Sequence, residues 1–384
     1  PEKQCRVLYD VDVAVAGSGI SGTFAAIAAG RCGAKTLLID RFGSLGGNIG
    51  PGMIINGGLF READTTLPGG VAGIAREFKE RLEALRVGPP DRYPEEASIT
   101  SYLAYEMMND AGVEFLLSAY VADPVMEGNA VRGLFVECKS GRVAVKAKVT
   151  VDGTGDADIA LRAGAPIIHY LAPDARYAGK IRGSRLGDRF PTFYNDTQIL
   201  CLLAEVDLGA FEAFCERDID LTTEDSEWAK AEFANYPRAL VPALRKAWLD
   251  GEFRPRYELY PNVEVRTSFR FLDFGSGVVG FHTSSSGAID AGDPRQISRL
   301  ETGMREQAFK AIALCRNHAP GFERAYLLAS SPFLGMRGGP HIDGEHTITP
   351  DEAWDGYRCE DVLFRNIHEM NHGGDPSGFD VPYG

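Results

Sequence analysis

Three glycines set the first chemical constraint in this sequence. Gly17-Ser18-Gly19-Ile20-Ser21-Gly22 has the spacing G-x-G-x-x-G. Gly17 permits a tight turn, Gly19 leaves room for a pyrophosphate against the backbone, and Gly22 lets a helix pack close to a strand. Amides at the start of that helix would face the phosphate oxygens. Asp40 follows at the spacing of an acid that accepts hydrogen bonds from ribose hydroxyls. A carboxylate there repels a 2′-phosphate, which disfavours NADP. The chemistry is dinucleotide binding, and the motif alone leaves FAD and NAD both open.

The flanking residues supply the elements such a motif needs. Residues 9–16 alternate and then become apolar, as a buried strand does. Ile20 to Arg31 reads as an Ala-rich helix stopped by Gly33, and Lys35 to Asp40 as a second strand. Together they form one βαβ unit. Ala26 and Gly30 suit close packing of the helix, and Cys32 reads as a packing residue within it. A second glycine cluster, Gly46-Gly47-Asn48-Ile49-Gly50, follows the acid and could meet a further stretch of a long cofactor. Val151-Asp152-Gly153-Thr154-Gly155-Asp156 is another strand-to-glycine turn.

Further along, Val71 to Arg86 and Ile99 to Ala111 have helical spacing, and Val113 to Val121 reads as a strand. Val125 to Val136 and Arg142 to Val151 read as strands of a small antiparallel sheet. Beyond residue 166 the character changes. Glu224 to Phe233 and Glu301 to Asn317 read as helices, Ser268 to Phe274 and Val278 to His282 as strands, and Ser330 to Thr349 as strand-like. The expected class is α/β: a Rossmann-like domain with a parallel sheet plus a small antiparallel sheet, and a second α+β domain. The expected division is 1–165 for the cofactor domain, 166–330 for a substrate domain, and 331–384 for a return to the first.

Composition narrows the function classes. The chain has 384 residues, 44% hydrophobic and 24% charged, which is a globular balance. A net charge of −14 repels nucleic acid and anionic membrane surfaces. The apolar run from Gly19 to Gly30 is too short for a membrane span. Seven scattered cysteines without a C-x-x-C pair argue against zinc, iron–sulfur and disulfide frameworks, so no metal is expected and the reduced thiols suit a cytoplasmic protein.

The order of the glycine motif, Leu38-Ile39-Asp40-Arg41, Leu45-Gly46-Gly47, residues 110–117 (DAGVEFLL) and residues 151–158 (VDGTGDAD) resembles the FAD-dependent oxidoreductases with a glutathione-reductase-type FAD domain. Residues 290–296, 334–337, 342–349 and 379–383 resemble the same group. The resemblance implies FAD as cofactor. It implies that Gly17 to Gly22 hold the pyrophosphate and Asp40 the AMP ribose. Arg41 would lie beside the adenine, and Val121 would offer backbone to that end. Gly46, Gly47, Asn48, Ile49 and Gly50 would approach the pyrophosphate, ribityl chain and flavin, with Gly153, Thr154 and Gly155 over the phosphates.

Two departures stand out. The group has an Arg-Arg pair where this chain has Pro340-His341, leaving Arg337 and pointing to a less anionic substrate. The group's chain also continues beyond the stretch ending at Tyr383, which leads us to expect a second polypeptide or C-terminal fragment completing the FAD domain, in an oligomer.

Flavin carries the redox step, so the chain must supply orientation and proton transfer. His282, at the end of an expected strand, is the first candidate base. Arg337 could stabilise an oxyanion or bind a carboxylate, and His341 and Tyr170 are further candidates. Ser284 to Ser286 reads as a loop rather than a nucleophile. The expected activity is hydride exchange between a small organic substrate and FAD, with reoxidation by oxygen or another acceptor. The alternatives are an electron-relaying or non-catalytic FAD subunit of a complex and, more weakly, an NAD-dependent dehydrogenase.

Overall fold

The computed structural model describes residues 5–54, 72–85, 96–168, 195–231, 237–267, 269, 271–346, 348–366 and 379–382. The first unit runs β1 (Arg6–Ala16), α1 (Ile20–Arg31), β2 (Thr36–Asp40), α2 (Gly73–Leu85), α3 (Glu96–Asp110), β3 (Glu114–Leu117), β4 (Tyr120–Glu127), β5 (Ala130–Cys138), β6 (Gly141–Asp152) and α4 (Asp158–Arg162). Its strands form one sheet in the order β3-β2-β1-β6-β5-β4. The four strands from β3 to β6 in that order are parallel, and β5 and β4 continue it antiparallel.

Every residue of β2 is buried, as expected of a parallel strand covered on both faces. One face packs α1, α2 and α3 through Ile27, Phe78, Leu103 and Met107. The other buries Val11, Leu37, Ile39, Leu134, Val145 and Ile159. The small antiparallel sheet expected over 125–151 is present as β4, β5 and β6, which continue the parallel sheet. The single strand expected over 113–121 is broken by Ser118, a non-glycine residue at φ 53°, and the chain past it starts the β4–β5 hairpin. Helix α3 starts at Glu96, ahead of the expected Ile99.

The second unit follows β7 (Ile167–Ile168) and comprises β8 (Asn195–Ala204), α5 (Leu208–Cys215), α6 (Thr223–Ala231), α7 (Val241–Leu249), β9 (Arg256–Tyr260), β10 (Val263–Thr267), β11 (Leu272–Asp273), β12 (Val279–Gly287), α8 (Pro294–His318), β13 (Tyr326–Ser330) and β14 (Gly335–Met336). The sheet runs β13-β8-β12-β10-β9, with β11 on β12 and β14 on β8, all antiparallel. Alternation along β8, β10 and β12 sends Ile199, Cys201, Val263, Val265, Val279 and Phe281 into the core shared with α8. Helix α8 is longer than the sequence pattern suggested. Asp293 caps it by accepting from the amides of Arg295 and Gln296, and Pro294 opens it. Arg305 and Arg316 donate to the carbonyls of Ser331 and Ala325, tying α8 to the residues on either side of β13.

Ser284 to Ser286, expected as a loop, lie within β12. The C-terminal elements are β15 (His341–Ile342), paired with β7, then α9 (Pro350–Trp354), β16 (Val362–Asn366) and β17 (Phe379–Pro382), the last two paired with each other. Buried Asp380 accepts from Arg365 Nε at 2.6 Å. No helix among the described residues is long and apolar enough to cross a membrane.

Candidate active site

The glycine motif forms the turn between β1 and α1. Gly17 has φ 94°, and a Cβ there would lie 2.4 Å from the Gly153 carbonyl oxygen. A Cβ on Gly22 would lie 2.0 Å from the Gly17 oxygen. The turn is therefore threaded between α1 and the end of β6 with no space for side chains. Gly30, expected to bring α1 close to the strand, instead faces Ala111, whose oxygen is 2.4 Å from the Cβ it lacks. Cys32, expected to pack inside α1, is its exposed C-cap.

The open side of the turn differs. At Gly19 an added Cβ would meet only the Gly153 oxygen, 3.8 Å away. Gly19 is the N-cap of α1 and provides no side-chain cap. Ser18 is buried, and its Oγ has no hydrogen-bond partner. A helix start without a cap beside an orphaned hydroxyl is a fitting receptor for a phosphate group. Asp40 is 8% exposed and ends β2. Its two oxygens accept from the Ser18 amide at 2.6 Å and the Phe42 amide at 2.7 Å. The carboxylate is thereby held against the phosphate turn with acceptor capacity remaining for ribose hydroxyls.

The second glycine cluster closes over the first. Gly46 N donates to Ser18 O at 2.9 Å, and Gly46 and Gly19 form a parallel bridge. Gly47 has φ 53°, and a Cβ there would be 2.8 Å from the Gly19 Cα. Helix α3 props this loop: Ser101 Oγ bonds Leu45 N and O, both at 2.7 Å, and Tyr105 donates to Gly43 O at 2.6 Å. These supports went unseen in the sequence because Ser101 and Tyr105 are ordinary residues of a helical pattern. Ile49 and Gly50 continue the turn, with Gly50 N donating to Gly46 O. Arg41 places its guanidinium 4.8 Å from the Phe42 ring centroid, and Phe42 stacks on Phe333 at 4.5 Å. Val121 is buried in β4, near the point where the Ala119 amide donates to Asp40 O.

Asp152 fixes the third turn. Its carboxylate accepts from Thr154 N and Oγ1 and from the amides of Ile159 and Ala160 at the start of α4. Gly153 N donates to Ala16 O, so Gly153 to Gly155 lie beside Gly17. Asp156 follows, half-buried, with its pKa pushed up to about 6 by desolvation and the Asp158 charge, against the pull of Arg41.

The second sheet turns a face toward this assembly. Asn48 Nδ2 donates to Met336 O at 2.8 Å, and Gly335 leaves room for Ile54, whose Cδ1 is 2.6 Å from a Cβ built there. Met53 joins Leu200, Leu202, Phe274 and Val278 in an apolar cluster between the units. Moving along the same face, that cluster gives way to His282, then Ser284 and Ser286 on β12, Gln198 on β8 and Arg266 on β10. Arg337 continues β14 beside Asp196, its amide donating to Asp196 O at 3.0 Å.

His282 and Arg337, two candidates chosen from sequence, are thus brought onto one face. The Nε2 of His282 is buried without a hydrogen-bond partner, and burial, aided by the Arg337 charge, pushes its pKa down to about 4. The imidazole is neutral across the physiological range and available to accept a proton. His341 pairs through its backbone with Ile168 in β15–β7, away from β12 in the sheet order. Tyr170 lies outside the described residues. Gln198 and Arg266 were missed, and the apolar alternation of β8 and β10 was the signal that could have placed them on the face opposite the core. Burial raises the thiol pKa of Cys201 to about 11 and that of Cys315 further, so neither is a ready nucleophile. Among the described residues no group of three or more His, Cys, Asp or Glu side chains could hold a metal.

The chain is similar to several known proteins. Thiamine thiazole synthase from Pyrobaculum arsenaticum is 34% identical over 134 residues, covering 34% of this chain and 48% of its own length. The enzyme of the same name from Saccharolobus islandicus is 31% identical over 159 residues, covering 38% and 56%. The chain spans about half the length of these curated relatives. Among solved structures, a geranylgeranyl bacteriochlorophyll reductase-like protein from Thermoplasma acidophilum aligns at 14% identity and TM-score 0.40, over 85% of this chain and 66% of that one. The myxobacterial chondrochloren halogenase, a FAD-dependent enzyme, aligns at 12% identity and TM-score 0.41, over 86% and 64%. The family described as FAD dependent oxidoreductase matches residues 12–373, and this chain belongs to it.

Proposed function

We propose that the protein exchanges a hydride between a small organic substrate and FAD, the substrate lying on the polar part of the second sheet. The observation that carries this reading is His282. Its buried, unpartnered Nε2 sits on the face that Asn48, Met53 and Ile54 link to the glycine loops. When bound, FAD supplies the two-electron chemistry.

The chain's own residues do the rest. Gly17 to Gly22 present amides and the Ser18 hydroxyl to the pyrophosphate, with Gly153 to Gly155 alongside. Asp40 takes the AMP ribose, while Arg41 and Val121 border the adenine end. Gly46 to Gly50 let backbone approach the middle of the cofactor. His282 Nε2 takes the proton from the substrate hydroxyl or amine as the adjacent C–H bond is broken. Arg337 steadies the developing negative charge. His341 and Tyr170 are further proposed contributors to the substrate side.

Reoxidation by oxygen or another acceptor completes the cycle. The test is the visible spectrum of the purified protein, followed by anaerobic mixing with small alcohols, amines and hydroxy acids. An oxidised flavin band near ~450 nm that bleaches with one class is the expected result. Retained flavin that none of them bleaches, while a partner protein reduces it, would replace the enzyme reading with electron relay.

A further inference from the structure

The polar half of the sheet face offers hydrogen-bond donors well in excess of what the protein uses. Along β12 the side chains on this face are His282, Ser284 and Ser286. Beside Ser284 lie Gln198 on β8 and Arg266 on β10. Gln198 Nε2 is buried with no partner, as is His282 Nε2. Gly335 stands beside Gln198 on β14, and the Ile54 side chain, rather than one from that strand, fills the space there. Arg266 and Arg337 flank this group, and neither guanidinium has an ion-pair partner among the described residues.

Of the two acids on the face, one is held by a cation. Glu264 is held by Arg256 at 2.5 Å. Asp196 lies opposite Ser286, one step farther from His282. The centre, around Ser284 and Gln198, therefore combines a buried amide donor, a hydroxyl and two flanking cations. A buried donor left unmade costs free energy that a ligand acceptor recovers. Guanidinium and amide donors on neighbouring strands of one face suit a flat, anionic, two-oxygen acceptor.

We propose that Gln198, Ser284 and Arg266 form a carboxylate-binding subsite, so that the substrate is a small organic acid anchored there with its reacting carbon toward His282. This rests on the hydride-transfer reading and narrows its substrate class. Arg266 supplies a cation from a distant strand in a chain that has Pro340-His341 where the similar group has an arginine pair. It also reverses the expectation of a less anionic substrate.

The experiment is calorimetric titration of the purified FAD-loaded protein with propionate, succinate and benzoate, with propionamide and benzamide as neutral matches and inorganic phosphate as a second anion. At least one carboxylate should bind, its amide should not, and added salt should weaken the binding. Arg266→Gln and Gln198→Leu should each weaken it by about tenfold or more, the loss of one charge-assisted or buried hydrogen bond. Arg266 is solvent-exposed, so its variant should keep the melting temperature and flavin spectrum of the parent. Equal binding of acid and amide, preference for phosphate, no binding of any probe, or unchanged affinity in Arg266→Gln would each overturn the subsite. Heat of binding is read without flavin reduction. Carboxylate binding without substrate bleaching would therefore sink the hydride reading alone, and bleaching by a neutral compound without carboxylate binding would sink the subsite alone.

Discussion

Asn48 and Met336 join the two units: the Asn48 side-chain amide donates to the Met336 carbonyl at 2.8 Å. Asn48 stands in the second glycine loop and Met336 in β14, so the bond ties that loop to the sheet bearing His282. Its net contribution should be about 1 kcal/mol. Asn48→Ala should lower the unfolding midpoint by a few degrees. Asn48→Asp should lower it further, because it sets a carboxylate against a carbonyl oxygen. Thermal melts with and without FAD read this, and an Asp variant as stable as the parent would show the tether to be unimportant.

Gly19 and Gly22 should fail in different ways. Gly22→Ala forces a methyl group to 2.0 Å from the Gly17 oxygen, so the turn itself must deform. This variant should lose several kcal/mol of stability or not accumulate folded. Gly19→Ala meets only one protein atom, at 3.8 Å, so the apoprotein should melt like the parent. The new methyl group would occupy the open side of the turn and weaken FAD binding by about tenfold or more. Fluorescence titration with FAD beside apoprotein melts separates the two. Gly19→Ala binding FAD normally would remove the pyrophosphate from that turn.

The glycine constraints were readable because they are local. Gly17, Gly22 and the βαβ elements around them sit within a few residues of one another, and their spacing reports close backbone approach directly. The polar sheet face was not readable in this way. Gln198, Arg266 and Ser284 meet only through strand register between distant segments. Strand β12 also hides its period. Its core-facing positions include Thr283 and Ser285, with Ser285 bonded to Thr197, so hydroxyls appear on both faces and the run reads as a loop. Ser118 concealed a strand break for a related reason: only its backbone conformation, not its residue type, marks the turn.

Asp156 should make stability fall with rising pH. Its pKa is raised to about 6, mainly by burial, in a turn where a Cβ on Gly339 would lie 2.9 Å from its Oδ1. The native state keeps a proton that the unfolded chain releases near its ordinary 3.8. This contribution is present below that value and is lost as pH rises through about 6. Asp156→Asn keeps the shape without the charge. It should match the parent at pH ~4 and exceed it by up to about 3 kcal/mol at pH ~8. Denaturant melts at both pH values check this, and parallel pH profiles for parent and variant would contradict it.

His282 carries the opposite sign. Its native pKa, lowered to about 4 by burial and then by the Arg337 charge, lies below the ordinary 6.5. The unfolded chain therefore binds a proton that the native state refuses, and stability should decline as pH drops from about 6.5 toward 4. His282→Asn should flatten that part of the curve. In turnover the same neutral imidazole should keep kcat/KM level from pH ~6 upward, with an acid limb only near its native pKa. His282→Asn should lower kcat/KM by about 10²–10⁴-fold with the flavin spectrum unchanged. Arg337→Gln removes the neighbouring charge, so it should move the acid limb to higher pH as well as slow the reaction. An acid limb that stays in place in Arg337→Gln would mean that His282 does not titrate in the reaction, and the proton acceptor would have to be sought elsewhere on the face.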